Sequence, residues 1–330
     1  MHKLLILFAL SLVVIGPVFS QEKDEIYYSK LKLPGVKMIT VAGKYKVWTQ
    51  KIGDGKIKLL LLHGGPGLTH EYLEDFADYL PQQGIQIYLY EQLGSYFSDQ
   101  PEVSSGDPLW KMPARVQEIE DVRKGLGLRN FYLYGHSWGA VLGLAYSIKY
   151  QRNLKGFIFS SMNLSQSALS ERQKEVRQQV DIAIENDPLG KEIIERKNKG
   201  LPFDKAVYDQ LFAQYYARQF IARTSEKLEV DDREEKHRNN QVMDEVVKDT
   251  FDQDYLSRPS NIKIPVLLIA GQYDPFVSPV DLEQFHKSLP QSRLVICPDA
   301  GHMAMLDSPK EYFPPIIEFL KDVEAHRFKP

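Results

Sequence analysis

The chain has 330 residues, of which 43% are hydrophobic and 26% charged, with a formal charge of −3. That is ordinary for a soluble globular protein and long enough for one large domain or two modest ones. The near-neutral balance gives no electrostatic case for binding nucleic acid or an anionic membrane surface, and Cys297, the only cysteine, excludes an intrachain disulfide.

The N-terminus opens with His2 and Lys3, then LLILFALSLVVIG, Pro17 and a polar QEKDE. This is the layout of a secretory signal peptide, with small residues before a cut at Gln21. A membrane anchor is the alternative, but the apolar run is short of the roughly 20 residues a span requires. The expectation is therefore an exported protein, periplasmic or secreted, with no stable membrane insertion after the signal is removed. Asn163–Leu164–Ser165 would be a glycosylation sequon in a eukaryotic secretory pathway.

The first third alternates in the manner of strands, with turn signals at AGK and GDG. KLLLLH (58–63) and IQIYLYEQ (85–92) are continuous apolar runs, as strands buried on both faces require. Between them HEYLEDFADYLPQQG has helical spacing. RVQEIEDVRKGLG predicts a helix ending at glycine. NFYLYGHS (130–137) reads as a strand, WGAVLGLAYSIKYQ as a helix and LKGFIFSSM (154–162) as the sixth strand. Residues 163–258 are long, charged and amphipathic without strand-like runs. The β/α pattern then returns in IPVLLIAGQYD (264–274), DLEQFHKSLP, SRLVICPDAGH (292–302) and EYFPPIIEFLKDVEAH. The expected organisation is a signal peptide at 1–20, an α/β core at 21–162, a helical cap at 163–258 inserted after the sixth strand, and the rest of the core at 259–330. Strand–helix alternation implies a mostly parallel central sheet with helices on both faces.

Gly135–His136–Ser137–Trp138–Gly139 is G-x-S-x-G between a strand and a helix, the context of a nucleophile elbow. A serine hydroxyl needs a base, and the base an orienting acid. In hydrolases of this architecture the chain order is Ser, acid, His. Asp274 and His302 follow Ser137 in that order, each just past a buried strand, on the sheet edge where active sites of parallel sheets gather. Asp299 is a rival acid, but three residues before His302 it is better placed to shape the turn. His63–Gly64–Gly65–Pro66–Gly67 follows another strand and can aim backbone N–H groups at the site, so Gly65 and Trp138 are the expected oxyanion donors. The turn has neither G-x-G-x-x-G nor G-K-[ST], so it does not read as a phosphate loop. No H-E-x-x-H or cysteine pair points to a metal, and no cofactor is expected. Cys297, at the end of a strand-like run, reads as a small buried hydrophobe.

Together these residues resemble the α/β-hydrolase fold and, more narrowly, the proline iminopeptidase family of serine exopeptidases. The resemblance rests on HGGPG at 63–67, YEQLGSYFSDQP at 90–101, GHSWG at the elbow, AGQYD and the later GH. It covers residues 35–325 or so. Two positions depart from the family pattern: Glu91 replaces the usual aspartate of the second motif, and Pro275 stands where some relatives carry an acid that holds the substrate amine. The resemblance implies release of an N-terminal residue, preferentially proline, from a short peptide. That chemistry needs an apolar pocket for the ring and a carboxylate for the amine. Trp138, Tyr96, Phe97 and Phe276 are the aromatic candidates for the pocket. Glu245 is the expected amine-reading cap glutamate, with Glu234 and Glu235 as rivals. A carboxylesterase or lactonase on the same scaffold is the alternative, and a non-catalytic binding protein would have lost a triad member.

Overall fold

The structure is a computed structural model and describes residues 25–223, 236–248 and 259–330. The signal-peptide reading and the rival carboxylates Glu234 and Glu235 lie outside those residues.

Eight strands form one sheet: β1 (Val36–Val41), β2 (Tyr45–Ile52), β3 (Ile57–Leu62), β4 (Ile85–Tyr90), β5 (Phe131–His136), β6 (Leu154–Ser160), β7 (Val266–Gly271) and β8 (Ser292–Cys297). Their spatial order is β1-β2-β4-β3-β5-β6-β7-β8. β1 pairs antiparallel with β2 and β2 with β4; every later pairing is parallel. The continuous apolar sequences of β4, β5 and β7 follow from this, since all their residues are buried and a parallel sheet is covered on both faces.

The covering helices are α1 (Glu25–Lys30), α2 (Phe76–Tyr79), α3 (Met112–Gly125) and α4 (Trp138–Tyr150) before the sixth strand is complete, then α5 (Gln166–Glu185), α6 (Lys191–Asn198), α7 (Lys205–Tyr216) and α8 (Asn240–Val247) between β6 and β7. α9 (Pro279–Ser288), α10 (Ala304–Asp307) and α11 (Pro309–Glu324) finish the chain. One face of the sheet packs Leu60, Leu133 and Phe157 against Ile119, Leu142 and Leu282 from α3, α4 and α9. The other packs Leu61, Tyr134 and Ile269 against Phe76, Tyr312 and Ile316 from α2 and α11. The α5–α7 block has a small core of its own, built on Val176, Val180, Ile184, Ile194, Tyr208 and Leu211.

The segment after β3 departs from the sequence reading. A single helix over 70–84 was expected; the chain instead makes three short turns, at Glu71–Leu73, Phe76–Tyr79 and Pro81–Gln83, ending on Gly84 with φ +76°. The cause is local. Glu71 and Tyr72 are buried and bonded to residues at the site described below, which holds the first turn apart from the second, and Pro81 has no N–H to continue the second. No helix among the described residues is long and apolar enough to cross a membrane.

Candidate active site

The elbow explains the spacing of its glycines. Ser137 joins β5 to α4 with φ +54° and ψ −124°, a conformation that costs an L-residue about 1–3 kcal/mol. A Cβ on Gly135 would stand 2.1 Å from the Gly139 carbonyl oxygen, and one on Gly139 would stand 2.3 Å from the carbonyl oxygen of Leu62 at the end of β3. Strand, turn and helix therefore approach closer than any side chain permits, which lifts the Ser137 hydroxyl above the carboxyl ends of the strands.

The Gly64 turn passes directly over this serine. A Cβ on Gly64 would lie 3.0 Å from the Ser137 Cβ and 3.1 Å from the Tyr72 hydroxyl. Gly65, at φ +33°, presents its backbone beside Met243 of α8, 3.5 Å from where a Cβ would stand. Trp138 is the first residue of α4, where N–H groups have no acceptor within the helix.

Asp274 and His302 meet as the sequence order anticipates. His302 Nδ1 lies 3.0 Å from Asp274 Oδ2, with Asp274 fully buried. The other carboxylate oxygen accepts from the Phe276 N–H at 2.8 Å. The acid is thus held from both sides. Phe276 stands edge-on to the imidazole, ring centroids 4.5 Å apart. Asp299 has φ +55° and an exposed side chain; it shapes the turn before His302.

The cap holds both loops, through contacts that no sequence motif announces. On α5, Arg172 Nε donates to the Asp274 carbonyl at 3.0 Å and Gln173 Nε2 to the Pro275 carbonyl at 2.8 Å. After α7 the chain makes a π-type turn, Ala217–Ile221, whose carbonyls at Phe220 and Ile221 accept from the N–H groups of His302 and Met303 at 2.7 and 2.9 Å. Wide turns of this kind recur at functional sites. A Cβ on Gly301 would stand 2.4 Å from the Phe220 carbonyl oxygen, so the glycine of the GH pair is needed for this approach.

A second chain of hydrogen bonds crosses the site behind Ser137, and its directions are fixed by its ends. The Gly64 N–H donates to the Tyr72 hydroxyl at 2.5 Å, the Tyr72 O–H donates to His136 Nδ1 at 3.0 Å, and His136 Nε2–H donates to the His302 carbonyl at 3.0 Å. Burial, with a smaller contribution from His302 when that ring carries a proton, pushes the His136 pKa well below the ordinary histidine range, so it stays neutral and keeps these roles. His136 is part of the G-x-S-x-G motif, yet nothing in the motif assigns it a partner.

Four side chains expected near the substrate have partners within the fold. Glu245 is 3% exposed, but its carboxylate accepts from the Gly106 N–H at 2.8 Å and lies 2.6 Å from Lys248 and 3.5 Å from Lys111. Its pKa is lowered, chiefly by Lys248 and the Gly106 N–H. Three donors of its own chain satisfy it, and it anchors α8 to the 104–111 segment. Phe97 is fully buried among Trp48, His70 and Tyr27. Tyr96 is 2% exposed and stacked on His237 at 4.0 Å. Both pack among aromatic rings of the core. The Trp138 indole is likewise spent within the fold, its Nε1–H donated to Gln92 Oε1 at 3.0 Å.

A carboxylate the sequence reading passed over is Glu71. It is 3% exposed, its Oε2 accepts from Thr69 and faces His237 Nδ1, both at 2.9 Å, and its Oε1 is buried without a hydrogen-bond partner among the described residues. Burial raises its pKa, but the bonds to His237 and Thr69 outweigh that and hold it below the usual glutamate value. Among the described residues no three His, Cys, Asp or Glu side chains gather as a metal site. Cys297 is buried, its thiol pushed up to about 12 by burial.

Comparison with known proteins decides the family. A family model for the alpha/beta hydrolase fold matches residues 58–309. Proline iminopeptidase of Elizabethkingia meningoseptica is 35% identical over 89% of this chain and 99% of its own length, and that of Flavobacterium johnsoniae is 35% identical over 87% and 98%. The chain belongs to the proline iminopeptidase family. It is a hydrolase of the α/β-hydrolase fold. Among solved structures, the proline iminopeptidase of Mycobacterium smegmatis superposes with a TM-score of 0.72 over 89% of this chain and all of its own, at 19% identity; that likeness carries the fold alone. The anticipated α/β-hydrolase architecture, with helices inserted after the sixth strand, is the one found.

The loop that carries these residues is pinned by a buried ion cluster. His70 is fully buried; its N–H and its Nδ1 both reach Glu91 Oε1 at 2.6 Å, and its Nε2 lies 3.3 Å from Glu74. Glu74 in turn pairs with Lys30 of α1, and the Trp48 ring stacks on the imidazole at 4.2 Å. Burial alone would lower the His70 pKa, but Glu74 and Glu91 outweigh it and raise it. Burial would raise Glu74, but His70 and Lys30 hold it at about 2. The signs give a window. A raised histidine stabilises fully below its unfolded pKa of 6.5 and loses that stability as pH climbs through the folded value; a depressed glutamate stabilises above 4.5 and loses it as pH falls toward about 2. The melting-temperature deficit of His70→Asn is therefore expected to be largest between pH 4.5 and 6.5 and to shrink in alkali. A deficit that stays the same from about pH 5 up into alkali, measured by calorimetry, contradicts the charged state assigned to His70.

Proposed function

We propose that this protein is a serine aminopeptidase that releases an N-terminal residue, preferentially proline, from short peptides. The observation that carries the reading is the Asp274–His302 pair, 3.0 Å apart, held at the same sheet edge as a strained Ser137 in a chain of this family. Ser137 Oγ attacks the scissile carbonyl while His302 takes its proton, and Asp274 keeps the proton-bearing Nδ1 turned away from the serine. The developing oxyanion is met by the N–H groups of Gly65 and Trp138. His302 then returns the proton to the leaving amine, and water resolves the prolyl ester by the same steps in reverse. Phe276, edge-on to His302, gives the pyrrolidine ring an apolar wall. Curated relatives named proline iminopeptidase over nearly their whole length support the substrate class. Glu71 is the described carboxylate that fits the substrate amine: it follows the HGGPG turn, is held ionised, and keeps one oxygen without a partner among the described residues. The N-terminal layout supports export to a periplasm or beyond.

An esterase is the second reading, favoured by one observation: the carboxylate expected to read the amine, Glu245, is consumed by Lys248, Gly106 and Lys111. Hydrolysis of prolyl p-nitroanilide, its N-acetyl derivative and p-nitrophenyl acetate by the purified mature chain separates the two. The aminopeptidase reading predicts turnover of the free prolyl anilide, loss of turnover on acetylation, and a KM raised about tenfold or more in Glu71→Gln. Hydrolysis of the ester alone overturns it.

A further inference from the structure

Between the two proposed oxyanion donors lies a side chain that touches both of the segments that carry them. Gln92, 1% exposed and two residues past the end of β4, donates its N–H to His63 Nε2 at 3.0 Å and its side-chain amide to the His63 carbonyl at 2.9 Å. Its side-chain carbonyl accepts the indole N–H of Trp138 at 3.0 Å. One amide thus bridges the HGGPG turn and the first residue of α4.

The hydrogen-bond directions then reach the Gly65 N–H itself. A backbone N–H can only donate, so His63 Nε2 must be an acceptor and the ring proton must sit on Nδ1. Burial pushes the His63 pKa down to about 4, so the ring is neutral and this tautomer persists at working pH. Nδ1–H therefore donates to the Gly64 carbonyl, 2.9 Å away. That carbonyl belongs to the same planar unit as the Gly65 N–H, and in a trans peptide the two point in opposite directions. Pulling the Gly64 carbonyl back toward His63 turns the Gly65 N–H out, away from His63. The Tyr72 hydroxyl holds the N–H on the other side of Gly64, so the Gly64–Gly65 unit is fixed from both ends.

We infer that Gln92 is a positioning residue for the oxyanion hole: its side-chain amide ties the His63 carbonyl of the HGGPG turn to the Trp138 indole, and so fixes the spacing of the Gly65 and Trp138 N–H groups before substrate arrives, while its backbone N–H sets the His63 tautomer that directs the Gly65 N–H. The inference rests on the proposed reaction at Ser137. Donors aimed in advance stabilise charge that exists only in the transition state, so loss of the clamp lowers kcat and leaves ground-state binding intact.

The test uses the mature chain with Gln92→Met, which keeps the length, removes both side-chain bonds and leaves the backbone bond to His63 Nε2 in place, and Trp138→Phe, which removes only the indole N–H. Sites are counted by burst titration. Two inhibitors are compared: pyrrolidine-2-boronic acid, which forms a tetrahedral adduct with its oxygen in the hole, and pyrrolidine, which reports ring and amine binding alone. For Gln92→Met the expected result is a kcat per titrated site lower by about 10- to 100-fold, boronate affinity weaker by the same factor, and KM and pyrrolidine affinity within about twofold. Trp138→Phe gives a smaller loss of the same type, with no additional loss when combined with Gln92→Met. An unchanged kcat and boronate affinity overturn the inference, as does equal weakening of boronate and pyrrolidine, which marks a collapsed pocket. If Gln92→Met does not fold, Trp138→Phe decides by the same comparison. An inactive Ser137→Ala beside a normal Gln92→Met removes only the clamp; an active Ser137→Ala removes the proposed reaction and the clamp with it.

Discussion

Ser137→Ala is expected to lower prolyl-anilide turnover by about 10⁵-fold or more, since loss of the nucleophile from such a triad leaves only what binding and the oxyanion donors contribute. The backbone adds a second expectation to the first. Ser137 is held at φ +54° and ψ −124°, and alanine, with a Cβ in the same place, inherits that strain. Glycine does not. Ser137→Gly should be as inactive as Ser137→Ala and more stable than it by about 1 kcal/mol. Thermal melts of the two variants beside the parent check this. Equal stabilities would mean that the elbow stores no strain, and retained turnover in either variant would mean that the nucleophile lies elsewhere.

The second large effect falls on Asp274. In Asp274→Asn the side chain can lie in two ways, and the structure chooses between them. The Phe276 N–H, 2.8 Å from Oδ1, requires an oxygen there. The amide nitrogen is thereby placed where Oδ2 stood, 3.0 Å from His302 Nδ1. Two donors cannot face each other, so the imidazole gives up its Nδ1 proton and carries it on Nε2, where it points at Ser137 and cannot act as a base. Turnover should fall about 10⁴-fold while the fold is kept, because shape and packing are unchanged. Kinetics with a parallel melting curve test this. A loss of tenfold or less would show that Asp274 does not set the His302 tautomer.

The parts of this site that were legible in the sequence are those fixed by the backbone. Gly135, Ser137 and Gly139 bear directly on a strand–turn–helix, and the carbonyls that exclude a Cβ at both glycines are consequences of that local geometry. Asp274 and His302 were legible because a parallel sheet brings the ends of its strands to one edge. The partners of Glu245 were not legible, because counting back from Asp274 gives a place along α8 but not the lysines its carboxylate meets; Lys111 lies 134 residues away in the chain. The depth at which Tyr96 and Phe97 are buried was not legible for a simpler reason. Aromatics bury large area wherever they fall, and proximity to a motif does not distinguish a pocket wall from core. Gln92, His63, Tyr72 and His136 act through hydrogen bonds between segments distant in the chain, as do Arg172 and Gln173 of the cap. Such bonds depend on the folded register, and no spacing rule in a single sequence predicts them.

Ser137 is proposed as the nucleophile of a site shaped for an N-terminal prolyl residue. The most direct test is to treat the mature protein with a fluorophosphonate, with and without pyrrolidine-2-boronic acid, and to map the adduct by mass spectrometry while activity is followed. The account predicts one adduct, on the peptide that contains Ser137, forming in step with loss of activity and blocked by the boronate. Complete labelling of Ser137 with activity retained, or inactivation with the adduct on another residue, would contradict it.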